Sequence, residues 1–395
     1  MLATRGELMN TVVMLFALAV SDPSFIADTA TSLNNQGVQL YSQARYGEAE
    51  HVYRKVLDLP VESGTEAARV RAVTAGNLGT LLRVTGRYAE ACRMLLESLT
   101  EMEGNSASAP VEVLRTLENL ASSYQAMGDL TSAETYARKA VMYAESHAEI
   151  RQRERVNVKL LVAGIHVDGR RFDQAEAELP TLLPEADEVQ TMIVYNSLSA
   201  IALQRGVPAD AERYARLVLE RAARGLPKNH PLLAMVSNNL AQACRFQEKY
   251  LEAETYYREA IAQWETSIGP SHPDLAKGLS NLAAFYHERG RDAGAEALYL
   301  RAETIFDKAL GPDSVLALVA RNERADALRG QHRYAEAERV GSQSLAALEK
   351  RLPVEDPRVL RALGNRARLL SETRRREEAT RVLDRLRRVT AAGFR

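Results

Sequence analysis

Two cysteines, one tryptophan and seven histidines in a chain of 395 residues leave little material for a disulfide framework or a metal site. Cys92 and Cys244 occupy apolar-periodic positions far apart in the chain and form no metal-binding or redox motif, so buried free thiols are expected. His230 and His272 each precede a proline and help to order a turn, and the other five histidines lack the i,i+4 pairing of a helical metal-ligand set. The sequence contains neither a glycine-rich phosphate loop nor a Gly-x-Ser-x-Gly elbow. No stretch alternates like a strand closed by hairpin turns, which leaves an all-α chain. The net charge of −1 excludes a general nucleic-acid or polyanion binder. Together these absences argue against an enzyme and against any cofactor.

Long apolar runs are scarce as well. Val12 to Val20 is a nine-residue run, too short to span a bilayer as a helix, so no integral membrane segment is expected in the mature chain. With Arg5 before it and small residues at Ala17-Leu18-Ala19, the stretch 1–22 resembles a secretory signal peptide, although Glu7 offsets Arg5. The alternative, a leading helix capping the array that follows, should show a polar face, and this run shows none. Cleavage would place the protein in the periplasm or outside the cell; without it the protein stays cytoplasmic.

What the sequence has is a period. Ala49, Ala91, Ala133, Ala175, Ala211, Ala253, Ala295, Ala337 and Ala379 follow one another at 42 residues, except for the 36 between Ala175 and Ala211. A repeat of this size means stacked supersecondary units. Twelve residues before each alanine stands a second small residue: Gly37, Gly79, Ala121, Ala163, Ser199, Ala241, Ala283, Ala325 and Ala367. Two small sites at that separation let two helices cross closely. Leu233, Val236, Leu240 and Ala243, then Tyr250, Ala253, Tyr257, Ala260 and Trp264, give the apolar stripes of one such helix pair, with a turn near Glu248-Lys249. Gly269-Pro270 and His272-Pro273 punctuate the boundary to the next pair.

This pattern resembles the tetratricopeptide repeat, and the 42-residue spacing with Gly269-Pro270-x-His272-Pro273 resembles its kinesin light chain variety. The resemblance covers residues 28 to 390. It implies a right-handed α-solenoid of about nine helix-turn-helix repeats: residues 24–190 as units one to four, and 191–395 as units five to nine with an Arg-rich C-terminal cap. Unit four departs from the pattern. Pro180 and Pro184 fall within its second helix, so a truncated helix and a local change of curvature are expected there.

The resemblance further implies a protein-protein interaction scaffold that holds a peptide or protein segment in a concave groove lined by the first helices. One groove position of the family is often asparagine, and it carries Asn35, Asn77, Asn119, Asn239, Asn281 and Asn365 here, with Asn196 and Asn322 one residue early. Asparagine is a mediocre helix former, so its recurrence needs a reason: ligand contact or stacking on the neighbouring repeat. Carrying over the inward positions adds Gln242, Arg245, Lys277 and His287, with Arg83, Arg115, Gln125 and Arg329. Such groups suit acidic or C-terminal carboxylates on a peptide, but Glu118, Glu288, Glu323 and Asp326 also face inward and make the groove mixed. A second reading places function at the C-terminal end. From Arg358 to Arg395 twelve arginines face four acids, a net +8 that could dock an acidic partner or membrane, or simply solvate a terminal cap.

Overall fold

The computed structural model describes residues 23–43, 45–62, 65–103 and 109–392. The leader expected at 1–22 lies outside the described residues. Within them the chain is all-α, with eighteen helices packed in consecutive pairs, the arrangement of a helix-turn-helix solenoid of about nine repeats. The described residues divide into two compact units: those up to 175 with 184–186, and 176–183 with those from 187 onward.

The first unit contains α1 (Pro23–Ser42), α2 (Tyr46–Leu57), α3 (Glu66–Val84), α4 (Tyr88–Glu103), α5 (Pro110–Met127), α6 (Leu130–Ser146) and α7 (Gln152–Asp168). The division between the units runs through α8 (Phe172–Leu182), which at 11 residues is the shortest described helix. Pro180 sits in its last turn, where its missing N–H ends the helix early, so the expected truncation is present. The second unit continues with α9 (Glu188–Gln204), α10 (Pro208–Ala222), α11 (Pro231–Phe246), α12 (Tyr250–Ser267), α13 (Pro273–Glu288), α14 (Asp292–Leu310), α15 (Val315–Gly330), α16 (Tyr334–Glu349), α17 (Pro357–Glu372) and α18 (Arg376–Ala392).

Small residues set the closeness of each pair. A Cβ on Gly37 would lie 2.3 Å from the Tyr53 ring, and one on Gly79 would lie 2.6 Å from Leu95. In the fifth pair the two small sites touch: Ser199 Oγ donates to the Ala211 carbonyl at 2.8 Å. Buried apolar side chains then run continuously, from Leu40 to Val158 in the first unit and from Met192 to Ala327 in the second. Cys92 and Cys244 are buried and unpaired, and burial pushes both thiols up to about 11.

The turn inside each pair is as regular as the helices. Gly86, Gly128, Arg170, Gly206, Glu248, Gly290, His332 and Arg374 all adopt positive φ, between 58° and 82°. The next residue donates its N–H to the carbonyl five positions back, as in Arg87 to Leu82 (2.8 Å), Lys249 to Cys244 (2.9 Å) and Arg333 to Leu328 (3.0 Å). This bond closes the C-terminus of the first helix and aims the second back along it. At the other end, prolines in the first turn start α5, α11, α13 and α17, and Pro208 starts α10 just after the Gly206 turn. The ring nitrogens of His230 and His272 accept from Leu232 N and Asp274 N, so both histidines are helix caps.

Candidate functional site on the first-helix faces

The recurring asparagines join one repeat to the next. Asn77 Nδ2 donates to Asn34 Oδ1 at 3.0 Å, Asn239 Nδ2 to Asn196 Oδ1 at 3.0 Å, and Asn281 Nδ2 to Asn238 Oδ1 at 2.9 Å. Each rung spans 43 residues, one more than the repeat, so the donor and acceptor registers are adjacent positions on the helix. Asn196 and Asn322, one residue early against the donor register, stand in the acceptor register. Asn119 makes a variant rung, donating to Thr80 Oγ1 at 2.9 Å and accepting from Arg83 Nε at 2.8 Å. Asn35 has no earlier described repeat to donate to and is exposed.

The charged candidates are also engaged. Arg245 Nε reaches Glu288 Oε2 at 2.7 Å, Lys277 reaches Asp274 at 2.9 Å, and Arg329 Nε reaches Asp326 Oδ1 at 2.6 Å. His287 lies between two carboxylates, with Nδ1 on Asp292 and Nε2 3.1 Å from Asp326 Oδ2. Its hydrogen bond to Asp326 raises its pKa against the opposing effect of burial. A carboxylate clamp needs uncommitted cations, whereas each of these cations already faces an acid. In the first unit Gln125 donates to Asp168 at 2.8 Å, and burial lifts the Glu118 carboxyl to about 7.

One stripe is left unspent. Met235, Asn239, Gln242 and Phe246 of α11 fall four, three and four residues apart, on a single face. Met235 is 45 % exposed and Phe246 55 %. Half-buried Gln242 makes no hydrogen bond among the described residues, and the Arg245 guanidinium lies 5.4 Å from the Phe246 ring centre. An 11-residue separation on a helix is about 16 Å, enough for several residues of an extended chain. Met235 and Phe246 escape a sequence reading because exposure cannot be told from burial by residue type; their place on the stripe with Asn239 was the available signal.

A second ladder runs along the second helices. The residue after six of the eight left-handed turns reaches an acid of the preceding repeat, 37 positions back: Arg87 to Glu50 (2.7 Å), Arg171 to Glu134 (2.7 Å), Lys249 to Glu212 (2.8 Å), Arg291 to Glu254 (2.9 Å), Arg333 to Glu296 (2.6 Å) and Arg375 to Glu338. Burial alone would raise the Glu212 carboxyl, but hydrogen bonds from Lys249, Arg216 and Gln247 hold it at about 2. Hydrogen bonds from Arg171 and Arg138 likewise hold Glu134 at about 2. Glu50 thus has two cationic partners, Arg87 and, within its own helix, Arg54.

The basic C-terminal end is answered in part by the preceding pair. Arg361, Arg368, Arg375 and Arg385 of the last pair face Glu323, Asp326, Glu338 and Glu349 of the preceding one. Arg374, Arg376 and Arg381 are exposed and make no ion pair among the described residues. Among those residues no group of three or more His, Cys, Asp or Glu side chains is placed to hold a metal ion, and no helix is long and apolar enough to cross a membrane.

Paired helices, polar rungs between repeats and a partly unspent face define a helical-repeat scaffold. The chain belongs to the tetratricopeptide repeat family: one family model matches residues 70–146, 190–266, 234–307 and 274–350, and a second matches 29–59. Among solved structures, a Rap protein complexed with Competence and Sporulation Factor is similar over 92 % of this chain and 98 % of its own, at 14 % identity and a TM-score of 0.60. The apo form of the quorum sensor NprR from B. thuringiensis is similar over 81 % of this chain and 87 % of its own, at 15 % identity and a TM-score of 0.57. A Podosopora anserina kinesin light chain with nearly identical TPR-like repeats matches at 24 % identity over 51 % of this chain and 95 % of its own, with a TM-score of 0.43. At these identities the likeness to the Rap protein and NprR establishes the fold alone. No curated protein matches the sequence.

Proposed function

We propose that the protein is a non-catalytic scaffold that binds a peptide or an extended segment of a partner protein along the first-helix face of its second unit. The observation that carries this reading is the α11 stripe, where an uncommitted carboxamide, Gln242, lies between two exposed apolar side chains, Met235 and Phe246. An extended backbone needs a donor and an acceptor from its receptor, and a primary amide supplies both. Two flanking apolar side chains give the anchor burial that directional bonds alone lack. Asn239 and Asn281 hold neighbouring helices in register and so shape the face, Asn77 and Asn119 do the same toward the N-terminus, and exposed Asn35 stays open to a ligand. The Rap protein's solved complex with a signalling factor supports a binding role for an array of this fold.

The test is direct. Peptides selected from a displayed random library against the full chain should bind at least tenfold more weakly to the Met235→Ala/Phe246→Ala variant, with an unchanged thermal midpoint. Undiminished binding to that variant and to Gln242→Ala would reject the stripe. The second reading, docking of an acidic partner through the C-terminal end, draws on exposed Arg374, Arg376 and Arg381; it requires that reversing these three to Glu abolish partner capture. Export through a cleaved leader at 1–22 remains the proposal for localisation, and an intact Met1 on native protein would dismiss it.

A further inference from the structure

We infer that the second unit carries a separate small pocket, between α15, α16 and α17, which takes the primary carboxamide of an inserted side chain. The asparagine ladder points to it. Asn239 to Asn196 and Asn281 to Asn238 close at 3.0 and 2.9 Å across a 43-residue interval, and Asn365 and Asn322 stand at the same interval. Their rung is open. Asn365 is 7 % exposed, its Oδ1 accepts from Arg368, and its Nδ2 has no partner. Asn322 is buried and makes no side-chain hydrogen bond among the described residues.

Both asparagines line a cavity of about 20 Å³. The space has a local origin. Gly341 of α16 occupies the register in which α12 and α14 carry Tyr257 and Tyr299, both deeply buried. Removing that ring leaves Ala325, Ala337 and Ala362 as thin walls around a polar base of Asn322, Asn365 and Asp326. A buried donor without a partner is costly, so an occupant that accepts from Asn365 and donates to Asn322 or Asp326 is favoured. A water satisfies two such groups in about this volume, but a carboxamide does so while its aliphatic stem lies against the alanines. A carboxylate could accept from Asn365 but has no hydrogen to donate to Asn322 or Asp326, and an ammonium could not accept from Asn365. The ligand class is therefore neutral: the Asn or Gln side chain of a bound segment. Only the source of that group rests on the binding role proposed above.

The test uses acetamide on the full chain labelled with ¹⁵N-asparagine. Acetamide should shift the Asn365 side-chain amide signal saturably and leave that of Asn281 unmoved. The Gly341→Leu variant, which fills the space, should weaken this at least tenfold with its thermal midpoint kept; should it fail to fold, Asn322→Ala must give the same loss. Uniform, non-saturating shifts across all asparagines, equal binding of acetate, or a crystal structure showing an ordered water only or a closed Asn365–Asn322 bond would each overturn the inference. Persistence of the acetamide effect in Met235→Ala/Phe246→Ala separates this pocket from the α11 stripe.

Discussion

Replacing Asn281 with alanine should change sign with its partner. In the native background the substitution deletes the 2.9 Å bond and leaves Asn238 Oδ1, on a buried side chain, without its donor. The lost bond is worth about 1 kcal/mol net, and the stranded acceptor adds a further ~1 kcal/mol. Alanine is the better helix former by up to ~0.7 kcal/mol, so the expected loss is about 1 kcal/mol. In an Asn238→Ala background no acceptor is left behind, and Asn281→Ala should become neutral or stabilising. The coupling read from the cycle should be about 1–2 kcal/mol. Neighbouring interfaces of a repeat array can open separately, so native-state hydrogen exchange of α11 and α13 amides reads this rung locally. Equal destabilisation in both backgrounds would refute the reasoning, because the asparagine would then act through something other than its rung.

Other expectations follow from the same contacts. Glu212 is held at about 2, below its ordinary value of 4.5. Its contribution is thus full above about 4.5 and fades as the pH falls toward 2. Glu212→Gln should lower the thermal midpoint at pH 7 and lose that deficit near pH 2; a deficit independent of pH would exclude the ion pair as the cause. Glu248 sits at φ 60°, so Glu248→Gly should stabilise by about 0.5–1 kcal/mol in urea unfolding, the relief of left-handed strain exceeding glycine's entropic cost. Gly278→Ala puts a Cβ 2.2 Å from the Trp264 ring and should cost about 1–3 kcal/mol, whereas Gly364→Ala meets nothing within 4 Å and should gain up to about 1 kcal/mol. Thermal melts of the two glycine variants moving in the same direction would contradict the packing described.

The tracking alanines and the small sites before them are legible in sequence because a helix pair that crosses closely tolerates nothing larger at Gly37, Gly79 or Ala241. The truncation at Pro180 is legible for the same local reason. The rungs are harder to see. Asn281 meets Asn238 rather than Asn239, and that one-residue offset belongs to the interface between repeats, which no single repeat displays. Asn196 and Asn322 consequently look like slips in a register when they stand in the acceptor position. Net charge misleads in a related way: four of the C-terminal arginines answer carboxylates on the preceding pair, which a count along the chain assigns elsewhere. The α11 stripe is half legible, since Asn239 marks the face but nothing in residue type says that Met235 and Phe246 stay outside.

Both ladders point the same way. Every asparagine rung is donated toward the N-terminus, and every cation beyond a turn also reaches toward the N-terminus. A copy that carries these groups thus has one half of a fastener on each side, complementary to the copies before and after it. A segment of one period duplicated in the gene would arrive with both halves and join at once, with no compensating change elsewhere. The 36-residue step interrupts the cation ladder, as the third pair does with Asp129: Val207 stands where a cation is expected, and Glu176 is instead met by Arg205 at 3.0 Å. The array lengthens freely by whole copies, and a partial copy survives by finding a substitute for the half it lost.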